Sequence, residues 1–157
     1  MSKPAETTLR EARETDLAAI LELAGQPGMD DGVVLDIAAA RAIFQRIKSN
    51  PAHRIFVADR SGEVVGTYAL LIMENLGHLG APSAIVEQVL VAPDRQGAGI
   101  GMTMMRHVLA EAREAGCYKL TLSSNLKRVE AHAFYDGLGF TRHGYSFRVD
   151  VTPDAPA

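Results

Sequence analysis

The chain has no tryptophan, a single cysteine (Cys117) and an aromatic share of only 6%. One cysteine rules out an internal disulfide framework and fits a reducing cytoplasm. Neither sign of charge dominates. Sixteen Lys and Arg against nineteen Asp and Glu leave a net charge of −3, which speaks against nucleic acid or an anionic membrane as partner. No apolar run approaches the roughly 20 residues needed to span a bilayer. The opening MSKPAETTLRE lacks the apolar core of a secretory signal. The five histidines (His53, His78, His107, His132 and His143) show no metal-ligand spacing, so no metal site is expected.

What remains is an ordinary globular composition, 47% hydrophobic and 22% charged, over 157 residues. That length suits a single domain, with a core over about 7–151 and a small, Pro-rich, frayed tail at 152–157. A weakly alternating stretch at Thr7–Ala12 reads as a first strand. Thr15 or Asp16 caps a helix whose face is Leu17, Ile20, Leu21 and Ala24, and Gly25 stops it. After a loop, a second helix runs to about Lys48 with Ile37, Ile43, Phe44 and Ile47 inward. Arg54–Met73 reads as a hairpin turning at Arg60-Ser61-Gly62. Ala84–Ala92 and Tyr118–Ser124 read as buried strands. A helix comes after each of them, one carrying Met105, Val108, Leu109 and Ala112, the other spanning about Val129 to Gly137. Phe140–Val151 reads as one or two final strands. The order implies an α/β fold with a mixed sheet, a parallel pair in its middle and about four helices.

Glycine is where the chain is rich, and Gly97, Gly99 and Gly101 stand at alternate positions between a strand and a helix. A dinucleotide fingerprint, G-x-G-x-x-G, would need its third glycine at Met102, and no G-x-x-x-x-G-K-[ST] string occurs. Two readings remain: a glycine-rich turn that merely lets strand meet helix, which would cost stability without a compensating use, and a pyrophosphate cradle. Backbone N–H groups from Gln96 to Gly101 point outward at the positive end of a helix, and the glycines let a phosphorylated ligand touch the main chain. Gln96 can add a side-chain donor and Arg95 a charge.

The string Gln96-Gly97-Ala98-Gly99-Ile100-Gly101 resembles the Q/R-x-x-G-x-G/A acetyl-CoA motif of the GNAT N-acetyltransferases. The segment Ala131–Phe140, AHAFYDGLGF, is similar to that family's later A-x-x-F/L-Y-x-x-x-G-F segment. The resemblance implies an acyl-CoA N-acyltransferase fold with splayed parallel strands in its central sheet. It also implies acetyl-CoA as cosubstrate and an amine as acceptor. On the same ground Leu90 and Val91 offer main-chain bonds to pantetheine, and Asn125, Arg128 and Phe134 stand at cofactor-binding positions. Arg128 occupies the place of the family's usual Asn, and Gly137 that of a frequent basic residue. Arg128 either replaces the contact to CoA or is a solvated charge at a helix start.

Two residues carry the expected chemistry. Glu87, within the apolar strand, is the candidate base, acting directly or through water. An alkylamine of pKa about 10.4 is neutral at pH 7 only at about 4–5 kcal/mol. The bland alternative is a carboxylate at an open edge. Tyr135 matches the family's tyrosine and is the candidate acid for the departing thiolate, or else a tyrosine packed at the core's edge. The stretch Ser123–Val151 is similar to the aminoalkylphosphonate N-acetyltransferases, which favours a small polar amine. Asp30 and Asp31 suit a cationic amine rather than a phosphonate, unless a metal intervenes. His107 and Glu111, spaced i,i+4, are expected to form an exposed structural pair. Protein N-termini, lysines and a non-catalytic CoA-binding role stay open, as does a homodimer.

Overall fold

The computed structural model describes residues 5–152. The expected flexible tail from Pro153 on lies outside them. Five strands form one sheet in the order β1-β2-β3-β4-β5: β1 (Thr7–Glu11), β2 (His53–Arg60), β3 (Glu63–Met73), β4 (Ser83–Val91) and β5 (Lys119–Thr121). The first four are antiparallel neighbours, and β4 with β5 is the one parallel pair among the described residues. Four α-helices accompany them: α1 (Leu17–Ala24), α2 (Ile37–Lys48), α3 (Ile100–Glu114) and α4 (Val129–Gly137). None is long and apolar enough to cross a membrane. The chain divides into two compact units, 1–122 and 123–157, and each is described by itself.

In the first unit the alternation of β2 sorts side chains to two faces. Val57 joins Ala12, Leu17 of α1, and Ala40 and Phe44 of α2. Its neighbour Phe56 faces the other way, stacking on Tyr68 at 5.0 Å and meeting the His107 ring of α3 edge-on. α1 and α2 therefore cover one face of the sheet and α3 the other. Burying a side chain such as Phe44 contributes about 1.5–3 kcal/mol. The hairpin turns through Ser61 and Gly62, both at positive φ as a twist-matched two-residue loop requires, and the Asp59 carboxylate accepts from the Gly62 N–H at 2.8 Å. Arg10 of β1 clamps Asp16 with two bonds, 2.7 and 2.9 Å, and reaches Asp59 at 3.1 Å. The Arg10 guanidinium holds the Asp16 carboxyl below its ordinary value, against the opposing effect of burial.

Several expectations are corrected. Asp16 stands at the N-cap of α1, but its carboxylate serves Arg10 and the Arg13 N–H instead of the helix. α1 buries Leu17 as expected and Leu23 in addition, while Ile20 and Leu21 are half-buried against the same core. α2 buries Ala40 and Phe44 while Ile37 and Ile43 stay exposed, because the covered stripe is narrower than the apolar one. On α3, Met104 joins Met105, Val108 and Ala112 in the core, and Leu109 is only half-buried. The strand expected over Tyr118–Ser124 shortens to Lys119–Thr121. No strand forms over Phe140–Val151, where every residue from Thr141 on is exposed. The parallel pair consequently ends the sheet instead of sitting in its middle.

Candidate functional site

The strand that carries Glu87, Leu90 and Val91 is irregular. Its register with β3 runs Ala69↔Glu87 and then Thr67↔Leu90, so Gln88 and Val89 together oppose Tyr68. Gln88 takes φ 52°, a left-handed value costly for a residue with a side chain. Such a bulge bends a strand and re-aims the residues beyond it. Glu87 and Gln88 are exposed, whereas Leu90 is buried. On the other side, β4 pairs with β5 only through Ser83, Ala84 and Ile85. From Val86 onward the two parallel strands no longer exchange hydrogen bonds, which is the splay expected of them. Leu90 and Val91 lie beyond that point.

Tyr68, opposite the bulge, is held from behind. Its hydroxyl meets His107 Nδ1 at 2.5 Å. Arg54 bonds Glu111 at 2.5 Å, and His107 Nε2 stands 3.7 Å from the same carboxylate. Burial pushes the Tyr68 phenol up and the His107 imidazole down. Both groups are thus neutral at pH 7, and a hydrogen bond joins the Tyr68 hydroxyl to Nδ1. The expected exposure of His107 and Glu111 is corrected here, because the i,i+4 spacing holds but the pair is half-buried against the sheet.

After β4, a short 3₁₀ turn, Pro93–Arg95, leads into Gln96. Gly97 and Gly99 both adopt left-handed φ, 80° and 79°. A Cβ built on either meets nothing within 4 Å, so their backbone faces open space. Gly99 is the N-cap of α3 and supplies no side-chain acceptor, which leaves the first-turn N–H groups to an outside acceptor. Gln96, Gly97, Ala98 and Gly99 are exposed, Ile100 is buried at 1%, and Gly101 lies in the helix. The loop is thus an exposed stretch of main chain at a helix start, open to an approaching ligand. Arg95 does not add its charge there, since it pairs with Glu63 at 2.9 Å and approaches Asp94 at 3.5 Å.

In the second unit, Asn125 organises the turn into α4. Its side chain accepts from the Lys127 N–H at 2.9 Å, and its carbonyl accepts from the Arg128 N–H at 3.0 Å and faces His132 Nε2 at 2.9 Å. Arg128 is the N-cap residue of α4 and is exposed. Ser124, which no sequence motif singles out, keeps a buried hydroxyl without a partner among the described residues. Tyr135 is half-buried between Phe134 and Phe140, ring centroids 5.3 and 5.8 Å away. Burial raises its phenol above the ordinary tyrosine value, with Arg128 opposing. The group stays protonated at neutral pH, the form an acid needs. Among the described residues no cluster of His, Cys, Asp and Glu could hold a metal ion.

Comparison with known proteins agrees with this geometry. Residues 17–140 match the model of the Acetyltransferase (GNAT) family. The chain is 30% identical over 144 residues to a glucosamine 6-phosphate N-acetyltransferase of Trypanosoma brucei brucei, covering 91% of this chain and 95% of that one. It is 35% identical over 113 residues to an aminoalkylphosphonate N-acetyltransferase of Salmonella typhimurium, covering 72% and 73%. Among solved structures, a putative acetyltransferase from Agrobacterium tumefaciens superposes with a TM-score of 0.85 at 34% identity, over 92% of this chain and 99% of the other. The chain belongs to the GNAT family and is an acetyl-CoA-dependent N-acetyltransferase.

Proposed function

We propose that the protein moves the acetyl group of acetyl-CoA to the primary amine of a small molecule by direct transfer. The observation that carries this reading is the open Gly97–Gly99 cradle at the start of α3, reached from a strand freed from its parallel partner before Leu90 and Val91. N–H groups from Gln96 to Gly101 take the pyrophosphate, and the main chain of Leu90 and Val91 takes the pantetheine arm. Asn125, Arg128 and Phe134 complete the contacts to CoA. Relatives named for glucosamine 6-phosphate, aminoalkylphosphonates and aminoglycosides all have small-molecule amines in their names, which supports an acceptor of that kind.

In this reading Glu87 removes the ammonium proton, directly or through water, from a position exposed to solvent. The amine nitrogen then bonds to the thioester carbonyl carbon, the C–S bond breaks, and the nitrogen sheds its second proton to solvent to leave the neutral amide. Tyr135 donates its phenolic proton to the departing sulfur and recovers one from solvent. The departing thiolate, whose conjugate thiol has a reference pKa near 8.5, accepts that proton from a phenol with a reference value near 10, and the burial of Tyr135 adds to the expense of the transfer. The test is release of free CoA thiol across a panel of amines, with product mass confirming an amide. If no small amine yields CoA while peptides with free N-termini or lysines do, the acceptor is a protein and the proposal fails.

A further inference from the structure

Five side chains from β2, β3 and α3 close a ring of contacts that the proposed chemistry leaves unused. The Tyr68 hydroxyl shares a hydrogen bond with His107 Nδ1 at 2.5 Å. His107 Nε2 stands 3.7 Å from the Glu111 carboxylate, to which Arg54 donates at 2.5 Å. The Arg54 guanidinium lies over the Phe56 ring, 5.0 Å from its centroid, and Phe56 stacks on Tyr68. Stability alone does not call for such a polar ring, because apolar partners of the same shape hold a helix to a sheet about as well. What the polar groups add is direction.

The ring joins the two elements that meet the cofactor. Gln88 and Val89 together oppose Tyr68, so this residue backs the bulge in β4 that precedes Leu90 and Val91. His107 belongs to the helix that begins at the Gly97–Gly99 loop, and it lies about 12 Å along the axis from Gly99. Gly66 brings the same two elements close together. A Cβ there would stand 2.7 Å from Met104 Sδ of α3 and 3.0 Å from the Leu90 carbonyl oxygen of β4. The side chains that α3 buries, Met104, Met105 and Val108 among them, are apolar. Their attraction has no preferred direction, whereas a hydrogen bond has a set length and angle.

We propose that Tyr68 and His107 are positioning residues for acetyl-CoA. Their hydrogen bond sets α3 against the bulged strand, and with it the span between the loop that takes the pyrophosphate and the main chain that takes the pantetheine arm. This rests on the placement of CoA proposed above. A ligand that bridges both elements feels an error in that span, and one held at the helix start alone does not. A misplacement of about 1 Å is enough to lower a rate by about 10²-fold.

Dephospho-CoA and ADP separate the two cases, because ADP is dephospho-CoA without its pantetheine arm. Calorimetry of the full chain with each ligand gives the affinity that the arm adds. Tyr68→Phe keeps the ring stack and removes only the hydroxyl. It should cut the ratio of the two affinities about five- to twentyfold, the scale of one buried hydrogen bond, with ADP binding within about twofold of wild type. His107→Leu should do the same, and combining the two should add little, since both remove one bond. Phe44→Leu, at a buried position under the opposite face of the sheet, should lower Tm and leave the ratio unchanged. An unaltered ratio in Tyr68→Phe or His107→Leu overturns the proposal, as does an equal fall in Phe44→Leu. If one single variant fails to fold, the other decides. If neither folds, the pair serves the fold and not the cofactor, and the proposal is overturned as well. A wild type that binds dephospho-CoA no better than ADP, or a Gly99→Glu variant that binds both as before, sinks the placement of CoA itself and the positioning role with it.

Discussion

At the scale of single residues, Tyr135 and His107 show how burial assigns a job to a titratable group. Burial among aromatic neighbours raises the Tyr135 phenol, so it is protonated at neutral pH, the form the proposed acid requires. Tyr135→Phe keeps the ring contacts and removes only the proton. We expect kcat at saturating amine to fall by about 10²- to 10⁴-fold, with CoA affinity within about twofold of wild type by calorimetry. An unchanged kcat, measured where chemistry limits the rate, removes Tyr135 as the acid. His107 is the opposite case, kept neutral chiefly by burial, with Glu111 opposing and Arg54 assisting. Its folded pKa lies below the reference value of about 6.5, so as pH falls the unfolded chain takes up the proton first. Its contribution to stability is complete above about pH 7 and is lost as pH drops from about 6.5 through the folded value. His107→Gln should therefore lose less stability than wild type between pH 7 and pH 5.5, read from urea midpoints. Equal losses would mean that His107 does not titrate on unfolding.

At the scale of elements, the Gly97–Gly99 loop separates backbone strain from ligand contact. Gly99 and Gly116 bracket α3, both have left-handed φ, and a Cβ on either meets nothing within 4 Å. A glutamate at either position therefore carries the same intrinsic penalty, about 1–2 kcal/mol. Only Gly99 stands where the pyrophosphate is proposed to sit, and a 15-residue helix puts Gly116 about 22 Å away. Gly99→Glu should weaken CoA by more than about 100-fold and Gly116→Glu by less than about threefold, although both lower Tm. Similar CoA affinities for the two variants would remove the cradle. This loop was legible in the sequence because spacing alone excluded the competing phosphate motifs, and α4 was legible from its glycine stop. The inward face of α2 was not. Periodicity marks Ile37 and Ile43 as apolar, but whether anything covers them depends on tertiary contacts. Ile37 stays open to solvent instead. The bulge at Gln88 left no mark either, since nothing in AIVEQVLV distinguishes a regular register from a shifted one.

Across the whole molecule, burial is uneven, and this too escapes a reading by pattern. Every fully buried hydrophobic side chain among the described residues falls between Ala12 and Ala112. The alternating Tyr145, Phe147, Val149 and Val151 read as a strand, yet all are at least 77% exposed and lie in irregular chain. Alternation records which residues could share a face. It does not supply the partner strand that would make the face worth burying. Stability should show the same division. Leu70→Ala, at a position with 0% exposure, should lower unfolding free energy by about 2–5 kcal/mol, from lost transfer energy and the cavity left behind. Phe147→Ser should change it by less than about 0.5 kcal/mol. Urea unfolding of both variants, each at two protein concentrations tenfold apart, checks the pair. A Phe147→Ser loss comparable to that of Leu70→Ala would show that residues 141–152 pack against something in solution. A concentration-dependent midpoint would then identify that cover as a second copy of the chain, because only association with another molecule ties stability to concentration.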